Sequence, residues 1–196
     1  MPRPKLEDAR PRLLSAGLSL FARLGTERVN SNAIARAARV GIGTFYTHFP
    51  DKYALLREIE VRTLAGIQHA RGEAVASAGP DPETQAYHAV RAVVHFAERH
   101  PEAYRVTFGR ERVGGVRTRS ALGESSRAMA DALRRLQAND QLDPDLDVDL
   151  AARAYASMES GTLLWWLEAP DRTLAADLID TLARLHPVTA CRPLAE

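Results

Sequence analysis

The sequence predicts an all-α fold of about nine helices, and three observations carry that prediction. Apolar residues recur at spacings of three and four along most of the 196 residues, the period of a helix with one buried face. Sustained apolar–polar alternation and Asn-Gly hairpin turns are both missing, so strand signals are nearly absent. Glycine and proline fall between the periodic segments, where helices stop and start.

The first helix is expected at about 7–24, on a stripe of Leu13, Leu14, Ala16, Gly17, Leu20, Phe21 and Leu24, with Gly25 as its stop. Asn30 or Ser31 can cap a short helix at about 31–38, whose small apolar face is Ile34, Ala35 and Ala38. A tight connection, Arg39-Val40-Gly41, leads to a third helix at about 42–48. Pro50-Asp51 opens a long fourth helix, about 51–77, with Tyr53, Leu56, Ile59, Leu64 and Ile67. AGPDP (78–82) breaks the chain, and Pro82 suits the first turn of a helix at about 81–99. His100-Pro101 ends that helix and a short one follows at 101–110. RVGGVR (112–117) reads as a loop or bent junction before a seventh helix at about 118–138. NDQLDPDLD (139–147) is a polar connection. An eighth helix is expected at about 145–168 and a last one at about 171–186, with a loose tail after Pro187.

Hydrophobic content of 45% and charged content of 26% are those of a soluble globular protein. No apolar run approaches the roughly 20 residues of a membrane span, and MPRPKLEDARPRLL has no apolar signal core. The single Cys191 excludes an intrachain disulfide, and no Cys/His zinc spacing is present. A cytoplasmic protein with no membrane partner, metal or cofactor is expected. Charge is uneven. Residues 1–62 hold 11 Lys+Arg against 6 Asp+Glu, whereas residues 63–196 hold 15 against 19, so the front is basic and the remainder mildly acidic. Either arginines cluster there by chance or the front segment meets a polyanion.

Two short helices joined by a tight turn and flanked by longer ones describe a helix-turn-helix, whose second helix enters the major groove. The stretch GIGTFYTHFPDK (41–52) fits that task. Thr44, Tyr46, Thr47 and His48 can hydrogen-bond phosphate or base edges, and Gly43 lets the backbone approach without a Cβ. Phe45 and Phe49, four apart, face inward as anchors. Lys52 adds charge to the free N–H groups at the start of the fourth helix.

LSLFARLG (18–25), IARAARVGIGTFYTHFPDK (34–52) and Leu55-Leu56 resemble the DNA-binding domain of TetR-family transcriptional regulators. The resemblance implies a DNA-binding domain over 1–52, extending into helix 4, and a ligand-binding and dimerisation domain over 53–196. It also implies phosphate contacts from Ser31, Thr44, Tyr46, His48 and Lys52, and base contacts from Asn32, Ile42, Gly43 and Thr47. Arg39 departs from the family, which often has glycine there; it alters the turn or reaches DNA itself. Arg3 and Lys5 form either an arm to the DNA or a solvated tail.

Two-fold pairing would double the contacts of one reading head and match a palindromic operator. Helices 8 and 9 are the candidates for a homodimer bundle, with Ala151, Ala154 and Gly161 permitting close approach; the alternative is that their stripes fill the monomer core. The resemblance further implies an apolar effector cavity beneath helix 4, for which Phe96, Tyr104, Phe108, Met129, Leu133, Met158 and Trp165 are candidate lining residues. HPEAYRVTFGRERVGGVRTRSALGESSRAMADALRRL (100–136) resembles the repressors of unsaturated fatty-acid synthesis within the same family. That likeness implies an acyl-thioester effector, with Arg110 and Arg112, and also Arg117 and Arg119, meeting its phosphates. The competing expectation is a regulator of drug efflux or catabolism sensing an aromatic or other small apolar ligand.

An enzyme is not expected. Glu159 with His95, or Ser125-Ser126, has no spacing that makes an active site. His88, His95 and His100 lack acidic or thiolate partners at metal-ligand spacing.

Overall fold

The computed structural model describes residues 8–109 and 121–190. Among them are ten α-helices and no strand. The chain divides into two compact units. Unit 1 is Met1–Thr63 with Glu102–Thr118, and unit 2 is Leu64–Pro101 with Arg119–Glu196.

In unit 1, α1 (Ala9–Leu24) buries Leu13, Leu14, Gly17, Leu20 and Phe21 along one stripe. It stops at Gly25, whose φ of 77° suits glycine and whose N–H donates to the Phe21 carbonyl. The side chain of Asn30 caps α2 (Ser31–Ala37) by accepting from Ala33 N–H at 2.9 Å. Gly41 leads into α3 (Ile42–His48), and Asp51 caps α4 (Lys52–Ser77) by accepting from Ala54 N–H at 2.7 Å. The core joins these helices through Leu13, Phe21, Ile34, Phe45, Phe49 and Leu55, with Val106 of α6 (Pro101–Phe108) packed against it. α1 passes α4 so closely that a Cβ on Gly17 would lie 2.4 Å from the Leu55 side chain.

Unit 2 holds the later turns of α4 together with α5 (Pro82–Arg99), α7 (Ala121–Gln137), α8 (Val148–Glu168), α9 (Ala175–Arg184) and α10 (Pro187–Ala190). Asp81 and Asp147 cap α5 and α8, accepting from the N–H groups of Thr84 and Leu150. α7 ends in a left-handed residue, Asp140 (φ 57°), and the Gln137 amide pins the following loop by donating to the carbonyls of Asp143 and Leu146. α7 packs along α8, and α5 contacts α8, α9 and α10.

The C-terminal end differs from the sequence expectation. A 3-10 turn at Pro170–Arg172 precedes α9, held by Trp166 Nε1 donating to the Thr173 carbonyl at 2.9 Å, so the helix begins only at Ala175. It ends at Arg184 because Pro187 has no N–H to continue the ladder. Pro187 instead opens α10, and Pro187 and Val188 are buried, so the start of the expected loose tail is packed.

Candidate nucleic-acid interface and effector cavity

The helix-turn-helix is built on a buried aromatic anchor. Phe45 and Phe49 are buried with ring centroids 6.0 Å apart, and this turns the opposite face of α3 outward. Ile42, Gly43, Tyr46 and Thr47 are exposed there, Tyr46 by 56%. A Cβ on Gly43 would meet nothing within 4 Å of the chain itself. Thr47 Oγ1 donates back to the Gly43 carbonyl at 3.0 Å, which fixes the rotamer while leaving the hydroxyl oxygen able to accept. Ser31 and Asn32 occupy the first positions of α2; Asn32 is exposed and Ser31 and Thr44 are half-buried.

Two of the residues singled out in the sequence, Arg39 and Lys52, carry internal tasks, and a third, His48, is partly shielded. Arg39 has φ 54°. Its N–H donates to the Arg36 carbonyl, and the Val40 N–H donates to the Ala35 carbonyl, both at 3.0 Å. This pair of bonds is a Schellman motif with Arg39 in the left-handed position, which is why glycine suits that place. The turn is therefore unaltered, and the arginine side chain projects from an exposed residue. Lys52 Nζ donates to the carbonyls of Thr26 (2.7 Å) and Val29 (2.9 Å), closing the α1–α2 connection. His48 is half-buried, and its Nε2 is shielded without a hydrogen-bond partner among the described residues. Arg10 braces the whole arrangement. Its guanidinium bonds the Glu58 carboxylate and the His48 carbonyl and lies 4.7 Å from the Phe49 ring centre.

Unit 2 contains a cavity of about 440 Å³ between α4, α5, α7, α8 and α10. Val75, Ala86, Val90, Met129, Leu133 and Val188 make its wall largely apolar. Arg71, Glu159 and His186 interrupt that wall. Arg71 Nη2 donates to Glu159 Oε2 at 2.5 Å, with side chains only 13% and 7% exposed. Burial, then the nearby Arg71 charge, pushes His186 down from 6.5 to about 3, so its imidazole is neutral at physiological pH. Its Nδ1 accepts from Val188 N–H, and its ring centre lies 4.8 Å from that of Tyr155.

Of the cavity candidates, the structure places only Met129 and Leu133 on this wall. Phe96 packs on Gly66, where a Cβ would lie 2.8 Å from its ring. Tyr104 and Phe108 stack on each other within unit 1, 4.6 Å between ring centres. Met158 is half-buried on α8 away from the cavity wall, and Trp165 is 45% exposed beneath the Arg172 guanidinium. Arg110, Arg112, Arg117 and Arg119 lie outside the described residues. Glu159 faces Arg71, whereas His95 pairs with Glu98.

Residues 13–59 match the family model described as bacterial regulatory proteins, tetR family. The match is confined to this segment, which is thus similar to the TetR family. The matched residues span most of α1, all of α2 and α3, and the first turns of α4. Similar solved structures extend the likeness in fold to nearly the whole chain. A TetR-family transcriptional regulator from Syntrophomonas wolfei superposes with a TM-score of 0.81 at 15% identity, covering 97% of this chain and 99% of that one. FadR from Bacillus subtilis, in complex with stearoyl-CoA, superposes at 0.77 and 16% identity over 91% and 98% of the two chains. FadR from Thermus thermophilus, a TetR-family repressor in complex with lauroyl-CoA, does so at 0.68 and 24% over 95% and 97%. No curated protein matches the chain significantly in sequence.

Unit 2 also exposes apolar surface. On α8, Ala152, Tyr155, Ala156, Glu159, Leu163 and Trp166 are buried, while Leu150, Ala154, Gly161 and Trp165 run along the outer side. The α9 stripe divides: Leu178 and Leu182 are buried, and Leu174 and Leu185 are exposed. Among the described residues, no helix is long and apolar enough to cross a membrane.

Proposed function

We propose that the chain is a TetR-family regulator, a ligand-responsive repressor that binds a palindromic operator as a homodimer. The observation that carries the reading is the exposed Gly43-Tyr46-Thr47 face of α3, set on the buried Phe45–Phe49 anchor within the family's matched segment. Asn32, Ile42, Gly43 and Thr47 meet base edges; Ser31, Thr44, Tyr46 and His48 meet phosphates. Lys52 serves chiefly by holding the α1–α2 connection, and Arg39 contributes charge near the turn. The outer stripe of α8, with Leu150, Ala154, Gly161 and Trp165, and the exposed leucines of α9 supply the dimer surface.

The cavity in unit 2 is the effector site. Its volume falls in the ordinary range for small-molecule pockets, roughly 300–1,000 Å³. An acyl thioester is the favoured effector class, supported by the apolar wall and by the fold shared with regulators solved with stearoyl-CoA and lauroyl-CoA. A ligand with different affinity for the DNA-competent and incompetent shapes changes operator affinity, and DNA changes ligand affinity by the same factor. Titrating the operator complex with oleoyl-CoA and palmitoyl-CoA tests the class. A shift in operator affinity of about fivefold or more is expected; no shift with either thioester overturns the acyl reading and leaves the DNA-binding reading in place.

A further inference from the structure

We propose that the unit 2 cavity selects effectors whose apolar, enclosed portion carries a neutral hydrogen-bond donor, such as a hydroxyl, and that Glu159 receives the donor. The inference rests on the reading of this cavity as the effector site. Glu159 belongs to the cavity wall, and only 7% of its side chain is exposed. Oε2 is bonded by Arg71, but Oε1 is shielded and has no hydrogen-bond partner among the described residues. A carboxylate oxygen left unpaired in an apolar enclosure is costly, and an unmet acceptor of this kind calls for a donor. Because Arg71 already balances the Glu159 charge, an ammonium would meet the guanidinium as a like charge. A carboxylate would meet Oε1 as an acceptor facing an acceptor. A neutral donor satisfies Oε1 without disturbing the pair. The rest of the wall, including Val75, Val90, Met129 and Leu133, accommodates an apolar body.

The test compares two isomers of nearly equal size, 1-octanol and 1-methoxyheptane, of which only the alcohol can donate. Their affinities for the full chain are measured by isothermal titration calorimetry. The alcohol is expected to bind at least about tenfold more tightly, the effect of one hydrogen bond to a charged acceptor. In the paired variant Arg71→Leu/Glu159→Leu, which removes both buried charges together and so retains a foldable core, the two isomers are expected to bind within about twofold of each other. Ala89→Phe, which fills the cavity, is expected to abolish binding of both.

Equal affinities for the wild-type chain, or a preference that survives in the paired variant, overturn the role of Glu159 while the cavity remains a ligand site. Binding that persists in Ala89→Phe places the ligand elsewhere and overturns the proposal. If neither isomer binds the wild-type chain, the cavity reading fails together with it.

Discussion

Arg10 and Lys52 in unit 1 are committed to closing gaps in the chain's own structure, whereas Arg71 and Glu159 in unit 2 border a cavity of about 440 Å³. Both arrangements commit charged groups to partners within the chain, but they solve different problems. Around the helix-turn-helix, cations satisfy carbonyls and a carboxylate so that α3 is presented rigidly, with its chemistry facing outward. In unit 2 the buried pair leaves one carboxylate oxygen unmet among the described residues, so the interior remains receptive to a partner. Gly17 is pressed against Leu55 in unit 1, while apolar side chains of α5 and α7 face open volume in unit 2.

The largest effect expected from breaking this contrast lies in the buried pair. Glu159→Ala leaves Arg71 without its carboxylate and should lower unfolding free energy by about 3–5 kcal/mol in urea titrations. Arg71→Leu/Glu159→Leu should recover most of the loss. A single variant as stable as wild type would mean that water already compensates the pair.

Next in size is the pH response of His186. Its folded-state value is lowered from 6.5 to about 3, so between those limits the unfolded chain binds a proton that the folded chain does not. Stability from this group is fully present above pH 6.5 and declines as pH falls toward about 3. The decline is about 1.4 kcal/mol per pH unit, or about 2 kcal/mol by pH 5. Stability measured against pH should fall less steeply over this window in His186→Gln; equal slopes would contradict the buried neutral imidazole.

A smaller effect with the opposite sign sharpens the view of unit 1. Arg39 occupies a left-handed conformation that costs most residues about 1 kcal/mol. Arg39→Gly should therefore raise the thermal midpoint, by an amount corresponding to about 1 kcal/mol. A fall instead would show that the Arg39 side chain contributes more than its backbone strain removes.

The sequence exposed the reading head more fully than the cavity, for a physical reason. The determinants of α3 are consecutive: Gly41 starts it, Phe45 and Phe49 anchor it, and Tyr46 and Thr47 take the opposite face. Local periodicity is enough to sort such residues. Even so, the internal task of Lys52 depends on carbonyls of Thr26 and Val29, far back in the chain, and charge alone gave no sign of it. The cavity is assembled from five helices, so no single stripe identifies its wall. Aromatic size misled the search for it: Trp165 lies on the outer side of α8, and Tyr104 and Phe108 stack within unit 1. One signal was present. Glu159 keeps register with Tyr155, Ala156, Leu163 and Trp166, so a carboxylate on that face required a buried partner. Arg71 could not be selected from sequence, because it sits among polar residues that read as a solvated face.

The most direct test of α3 as the reading helix is operator binding measured across base variants. A palindromic duplex would be selected from a random pool with the wild-type protein, and fluorescence anisotropy would then compare wild type, Tyr46→Ala and Thr47→Ala on that duplex and its single-base variants. Tyr46→Ala should weaken binding to all of them by a similar factor and reduce the salt dependence, whereas Thr47→Ala should flatten discrimination at one base position by about 1–3 kcal/mol. Unchanged affinity and unchanged base preference in both variants would contradict the assignment of this face to the major groove.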